Sequence, residues 1–411
     1  MKEVQDMNKG YVIIGSGISA ISAAKAIRDK DKSGSISIYG EESMMPYLRI
    51  KLSKDLFKDL NNDKILLKKQ QWYEENNISF FKDTRILKID VENKILMSSK
   101  GENISYDKLL IATGSRNRRL PIIGSDKEGV FTLRNVLDAN NIKDYLKEKH
   151  NVVHIGGGVQ GLETAWTLHS NGKEVFIVEA GKRLMPRLLD ERASSILKEK
   201  IENTGVKFIC DTRVDEILGH KKVEAVSINE KQVIPCDSII YSIGIIPNVE
   251  IVKDTKIKTN KGIVVNDNME TSIKDVYAAG DVAEFKGNIE GLWMKATEQG
   301  TVAGSNMAGD NVIYKNAVPV TVFNAFNTSL FSMGDVSYGS YDNSISEEVD
   351  GKYIKIFIKD NRIVGAILIG DVSMSRVLKK CIEDGISLEG IDIDTIAIKE
   401  LISQMQKSIK S

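Results

Sequence analysis

Hydrophobic residues fall in short runs along the chain, and several of the runs stop at a glycine cluster. YVII (11–14) runs into GSGISA, after which ISAAKAIRD (21–29) has the spacing of a helix with one apolar face. ISIYG (36–40) is the next strand-like run. The same order returns at VVHI (152–155), GGGVQG, LETAWTLHSNG (162–172) and EVFIVE (174–179). Three further apolar runs end at a glycine and a turn: YDKLLIATGS (106–115), DSIIYSIGIIPN (237–248) and TSIKDVYAAGDVAE (271–284). Strand, glycine turn and helix in alternation predict an α/β architecture with parallel sheets, built twice. FKDTRILKID and KILMSS read as a strand pair, and KYIKIFIKDNRIVGAILIG (352–370) as two paired strands turning at DNR. Two helices are expected after it, around 373–383 and 392–408.

The two glycine clusters carry the first chemical signal. In each, the first glycine allows a tight turn and the second lets backbone approach a pyrophosphate. A small third residue lets helix pack close to strand, and the helix N-terminus offers free N–H groups to phosphate. Gly15, Gly17 and Ala20 fill these places in the first cluster, with Ser16, Ile18 and Ser19 between them. Gly156, Gly158 and Gly161 fill them in the second, with Val159 and Gln160 between. Glu41 or Glu42 follows the first unit's second strand, and Glu179 ends that of the second unit, near the spacing expected of a ribose-binding acid. A carboxylate there accepts from a 2′-hydroxyl and repels a 2′-phosphate, so the second site should prefer NADH. Lys182 and Arg183 lie nearby and read as a solvated loop, with tolerance of a 2′-phosphate as the alternative. Gly280-Asp281 closes a strand beside a helix-like stretch, where Asp281 can take ligand hydroxyls or cap the helix.

Composition narrows the classes. At 411 residues the chain exceeds one compact core. Its 57 basic and 57 acidic residues balance, which argues against wholesale nucleic-acid or membrane affinity. No apolar run spans a bilayer, and the N-terminus MKEVQDMNKG has no apolar signal core. Cys210, Cys236 and Cys381 form no CxxC or CxxxxC pair, so reduced thiols in a cytoplasm are expected. His150, His154, His169 and His220 make no metal cluster, and no metal site is expected.

Taken together, ATG near 113, IGIIPN and VYAAGD near 280 resemble, in order, recurring segments of the two-dinucleotide flavoprotein disulfide-reductase superfamily. The resemblance implies a glutathione-reductase type of fold with FAD-binding and NADH-binding Rossmann-like domains plus a small α+β C-terminal domain. It puts FAD on the first cluster and NADH on the second, with Ile86, Ala112, Thr113, Gly114, Gly244, Gly280 and Asp281 among the cofactor-contacting positions. The expected division is 1–117 for the first part of the FAD domain, 118–242 for the NADH domain, 243–315 for the second FAD part and 316–411 for the C-terminal domain. SRNRRLP marks the first crossover; Arg116, Arg118 and Arg119 there read as a charged linker, with guidance of an acidic partner as the alternative.

The branch follows from SMMPYLRIKLSKDL (43–56), which has neither the cysteine pair of disulfide reductases nor the single cysteine of peroxide and oxygen reductases. PYLRIKLSK is similar to the PYxRxxLSK segment of rubredoxin and ferredoxin-type reductases and of the flavin part of NADH-dependent nitrite reductases. That resemblance implies that Arg49 contacts FAD and that Lys54 lies near the flavin and pairs with Glu163; a solvated lysine is the alternative for Lys54. Ile50-Lys51 departs from the prolines of many relatives. WMKATEQG (293–300) resembles WxxAxxQG of the same reductases, making Trp293 and Lys295 flavin-edge candidates, with core packing the alternative for Trp293. The stretch 69–81, GIVVNDNMETSIKDVYAAGDVAEF and GDVSMSRVLKKCIEDG resemble clostridial NADH:rubredoxin oxidoreductases. The implied activity is electron transfer from NADH through FAD to a small iron–sulfur carrier such as rubredoxin or ferredoxin. The competing readings are an electron-entry subunit of a larger redox complex, an NADH oxidase, and a non-enzymatic FAD/NADH redox sensor.

Overall fold

The structure, a computed structural model, describes residues 10–230 and 232–409. Apart from Gly10, the N-terminal stretch read above lies outside the described residues.

Both glycine strands are central strands of five-stranded parallel sheets. In the first sheet, Tyr11–Ile14 lies between Lys108–Ile111 and Ile36–Tyr39, with Val276–Ala278 and Ile78–Phe81 at the edges. In the second, Asn151–Ile155 lies between Glu174–Val178 and Ser238–Tyr241, with Lys207–Ile209 and Val130–Thr132 outside. Strands buried on both faces must be apolar throughout, which is why these segments read as unbroken hydrophobic runs. The chain leaves the first sheet after Ile111, builds the second, and returns when Val276 pairs beside Leu109. The outgoing and returning connections form a short antiparallel ladder, Ser115–Asn117 against Ile245–Pro247.

Among the described residues, three antiparallel units and a short parallel pair, Ile263–Val265 with Ala283–Phe285, accompany the two sheets. The expected pair Ile86–Asp90 and Ile95–Ser98 gains a third strand, Asn103–Ser105. A second meander, Val214–Leu218, Ala225–Ile228 and Gln232–Pro235, was not read from the pattern. At the C-terminal end Lys352–Lys359 and Arg362–Ile369 pair as expected, turning through Asp360 and Asn361 at φ of 47° and 55°. They sit in a five-stranded sheet with Val320–Ala325, Thr328–Gly334 and Asn343–Val349. Helices Ser375–Asp384 and Ile398–Ser408 follow. No described helix is long and apolar enough to cross a membrane.

The cores do not follow the sheets one for one. The first sheet has its own core. The second sheet's core is continuous with the C-terminal sheet through Phe323, Phe326, Tyr353 and Phe357. It also takes in Tyr47, Leu52, Leu56, Leu60 and Ile65, which lie in sequence between strands of the first sheet. Trp166 meets Phe326 at 5.3 Å between ring centres, and Asp190 accepts from Tyr353 and Lys355 at 3.0 Å each. The turn bearing Arg49, Ser53 and Lys54 is therefore rooted in the opposite half of the molecule.

Candidate functional site

The two glycine loops are near copies. Gly15 and Gly156 adopt φ of +113° and +109°, and a Cβ on either would lie 2.1 or 2.3 Å from the carbonyl oxygen of Ala112 or Ser242. Only glycine fits there. Gly17 and Gly158 have extended backbone, and a Cβ on either would meet nothing within 4 Å. They border open space at the N-termini of helices Ile18–Lys30 and Val159–Ser170. Neither helix has a side-chain N-cap, so the first-turn N–H groups are left for another acceptor. A backbone cradle with room in front of it fits a dinucleotide pyrophosphate at both places.

The remaining candidates divide by where their side chains point. Ser19 and Ala20 are buried, and Ser19 faces Gly280 and Gly300, so these positions offer a ligand backbone only. Ile86 is buried in the first core and Val159 packs on the second. Gln160 donates its amide to the Leu133 carbonyl at 2.7 Å. Ser16, Ile18, Thr113 and Gly114 are half-buried at the loop mouth, whereas Ala112 is buried. Thr113 is tied to the returning connection, Oγ1 to the Asn248 carbonyl at 3.1 Å and its own carbonyl to Asn248 Nδ2 at 2.9 Å. Gly244 at φ +99° lies in open space on that connection.

Of the two acids after the first unit's second strand, Glu42 is already engaged. It is ion-paired with Arg49 and accepts from Tyr47 at 2.6 Å. Glu41 is exposed, with Arg85 3.8 Å away. Burial works against charge on Arg49, but Tyr47 and Glu42 outweigh it and hold the guanidinium firmly protonated. Glu179 accepts from the N–H groups of Gly157 and Gly181, the latter at 2.6 Å, which pins the second loop to its neighbouring strand end. Arg183 is bound to the carbonyls of Leu189 and Pro186, while Lys182 is exposed.

Asp281 sits where the returning strand meets the first loop. Its Oδ2 accepts from Ser115 at 2.8 Å and from Arg134 at 2.9 Å. Arg134 also donates to the Ser115 carbonyl at 2.9 Å, and its own carbonyl accepts from Arg49 at 3.1 Å. Sequence reading missed Arg134 and Ser115, because no local pattern links positions so far apart. It also missed Gln299, whose buried Oε1 takes the Gly280 N–H at 2.9 Å; QG in the 293–300 motif was its only signal.

Lys54 and Glu163 are brought together. Lys54 Nζ is 3.3 Å from Glu163 Oε1, and Ser53 Oγ donates to Oε2 at 2.8 Å. Trp293 is half-buried at the start of helix Trp293–Met307. Lys295 is placed differently from expectation. It is buried, and its ammonium binds the Ala317 carbonyl and Glu298, 3.5 Å away. One helical turn carries Trp293 and Lys295 to different faces.

Cys210 lies at the strand end beside Glu179, while Cys236 and Cys381 are buried elsewhere. Burial raises Cys236 to about 12 and Cys381 to about 11, and neither these nor Cys210 lies on the 41–54 segment.

Residues 9–300 match the pyridine nucleotide-disulphide oxidoreductase family, and residues 319–386 match the rubredoxin NAD+ reductase C-terminal domain. An NADH-rubredoxin oxidoreductase of Clostridium acetobutylicum is 35% identical over 92% of this chain and 96% of its own length. A crystal structure of NADH:rubredoxin oxidoreductase from that organism superposes with a TM-score of 0.80 at 34% identity, covering 96% of this chain and 99% of that one. A nitrite reductase [NAD(P)H] of Bacillus subtilis is 34% identical over 96% of this chain, which spans 49% of that protein. Two glycine-cradled nucleotide loops, a returning strand with its aspartate and a family match over most of the length identify the chain: it belongs to the pyridine nucleotide-disulphide oxidoreductase family.

Proposed function

We propose that this chain carries electrons from NADH through FAD to a small one-electron iron–sulfur carrier, with rubredoxin as the first candidate. The observation that carries the reading is the segment 41–54. Where a thiol relay would stand, it presents Arg49, Ser53 and Lys54, with Lys54 ion-paired to Glu163 on the helix of the second loop. The names of the relatives point the same way.

The chain's own residues divide the work. Gly15 and Gly17 hold one pyrophosphate at the helix starting at Ile18, Glu41 takes the adjoining ribose, and Asp281 takes the hydroxyls beyond it. Gly156, Gly158 and Gly161 hold the second pyrophosphate and Glu179 the second ribose, favouring NADH over its 2′-phosphorylated form. The domain division is that drawn from the sequence, with crossovers near 117, 242 and 315. FAD, once held, supplies the chemistry that nicotinamide lacks: it accepts a hydride's two electrons together and releases them singly. Lys54, steadied by Glu163, places positive charge beside the helix of the second loop. The exposed Arg118 and Arg119 steer an acidic carrier. A cytoplasmic setting suits three cysteines without disulfides.

Rapid mixing of NADH-reduced protein with rubredoxin, ferredoxin and a small disulfide tests the reading. Fast reoxidation by rubredoxin, slowing as salt rises, is expected. Reoxidation by the disulfide alone would overturn it. A second reading, an electron-entry module, is favoured by the match to about half of the nitrite reductase; copurification with a larger redox partner would support it.

A further inference from the structure

Two adjacent residues grip opposite oxygens of one carboxylate. Lys54 Nζ faces Glu163 Oε1 at 3.3 Å, and Ser53 Oγ donates to Oε2 at 2.8 Å. The two contacts differ in kind. The Lys54 side chain is 45% exposed, and an ion pair so open to water holds little by itself. Ser53 and Glu163 are 6% and 8% exposed, so their charge-assisted hydrogen bond is sheltered. A buried carboxylate oxygen left without a donor would be costly, and among the described residues Ser53 supplies that donor.

The scaffold behind this grip is stiff. Leu52 and Leu56 flank the pair and are buried in the same core as Leu162 and Ala165, neighbours of Glu163 on its helix. The turn is closed by the N–H groups of Lys54 and Asp55, both bonded to the Lys51 carbonyl, at 3.1 and 2.7 Å. Ser53 therefore faces the helix of the second glycine loop by construction of the backbone, while the long side chain of Lys54 has no such constraint.

We propose that Ser53 is a positioning residue for the NADH-to-FAD step. Its hydroxyl holds the Glu163 carboxylate in the orientation that keeps the Lys54 ammonium beside the helix of the second nucleotide loop. This rests on the two-cofactor reading above. Without the hydroxyl, the carboxylate turns toward water, Lys54 follows it or moves into solvent, and ordered positive charge is lost where electrons arrive.

The test uses FAD-loaded protein carrying Ser53→Ala, Ser53→Thr, Glu163→Gln, and Ser53→Ala with Glu163→Gln. The readouts are the rate of flavin bleaching by NADH without oxygen, the flavin midpoint potential and the melting temperature. Ser53→Ala should slow bleaching on the order of ten-fold and make the potential more negative. Ser53→Thr, which keeps the hydroxyl, should recover most of the rate. In the Glu163→Gln background the alanine substitution should add about two-fold at most, because both changes act through one carboxylate. If Ser53→Ala does not retain FAD, Ser53→Cys, closer in volume and a weak donor, takes its place in the same scheme. An unchanged rate and potential overturn the proposal. So does an equal slowing with and without Glu163. An unaltered protein that NADH does not bleach at all overturns the two-cofactor reading, and this inference with it.

Discussion

The two glycine loops share a local fold and differ in what surrounds them. The first is assembled from distant parts of the chain. Helix Ile18–Lys30 lies against helix Trp293–Met307 so closely that a Cβ on Gly300 or Gly304 would come within 2.2 or 2.3 Å of the Ser19 or Ala23 carbonyl oxygen. Gly280, Asp281, Thr113 and Arg134 close the same loop. The second loop is built mostly from residues 154–181, with Leu133, Leu184 and Ser242 beside it. Its third glycine, Gly161, packs on its own turn, where a Cβ would lie 2.3 Å from the Gly156 carbonyl oxygen. Its acid, Glu179, braces Gly157 and Gly181. A site walled by several elements suits a cofactor kept through many turnovers. A more local loop suits a ligand that comes and goes.

The sharpest break of that comparison places the same side chain at equivalent points. Gly17 and Gly158 have ordinary extended backbone with open space in front, so valine at either leaves the fold intact and fills only the ligand's place. Gly17→Val should yield a colourless protein, and Gly158→Val a yellow one that NADH bleaches at least about 100-fold more slowly, since close backbone approach to the pyrophosphate is lost. Flavin content and anaerobic NADH titration separate the two; a yellow Gly17→Val protein would show that the first loop does not hold FAD.

Glu179 gives a smaller effect confined to the second loop. Glu179→Gln should weaken NADH by about 1.5–3 kcal/mol, the usual loss when hydrogen bonds to a charged group go, and leave flavin content unchanged. Arg183, bound to two carbonyls, is not free to take a 2′-phosphate, so NADPH should gain little. A large gain in NADPH use on titration would contradict that placement.

His154, beneath the second loop, sharpens the contrast through pH. It is fully buried, touches the position a Cβ on Gly161 would fill, and has no hydrogen-bond partner for either nitrogen among the described residues. Burial pushes it from 6.5 down to about 4, against a weaker opposing pull from the Gly156 backbone. The unfolded chain then binds the proton first as pH falls. Its contribution is whole above about 6.5 and is lost on descent to about 4, amounting to about 3 kcal/mol. Denaturant midpoints of the unaltered protein should fall over that window more steeply than those of His154→Leu; equal slopes would show that His154 charges freely in the fold.

Much of this was legible in the chain because it is local. The turn at Gly15 or Gly156, the open approach at Gly17 or Gly158, and the strand ending on Glu179 are each set within a few residues of one another. Glu42 shows the limit: spacing allowed either Glu41 or Glu42 a ribose, and only the fold shows Glu42 bound to Arg49 and Tyr47. Lys295 shows it again, since motif resemblance put it at the flavin edge and packing sent its ammonium to Ala317.

The sequence by itself determined two βαβ units, their glycine loops, the strand-end Glu179, the missing cysteine after Glu42, and the family those features mark. Steric demands at glycine and the burial of parallel strands act through near neighbours, so they leave a readable pattern. Only tertiary structure decided that residues 47–65 root in the core of the second and C-terminal sheets, that Arg134 and Ser115 grip Asp281, and that Ser53 holds Glu163. Those contacts join residues 110 to 166 positions apart, or whole sheets, and their partners are chosen by three-dimensional proximity, which no periodicity records.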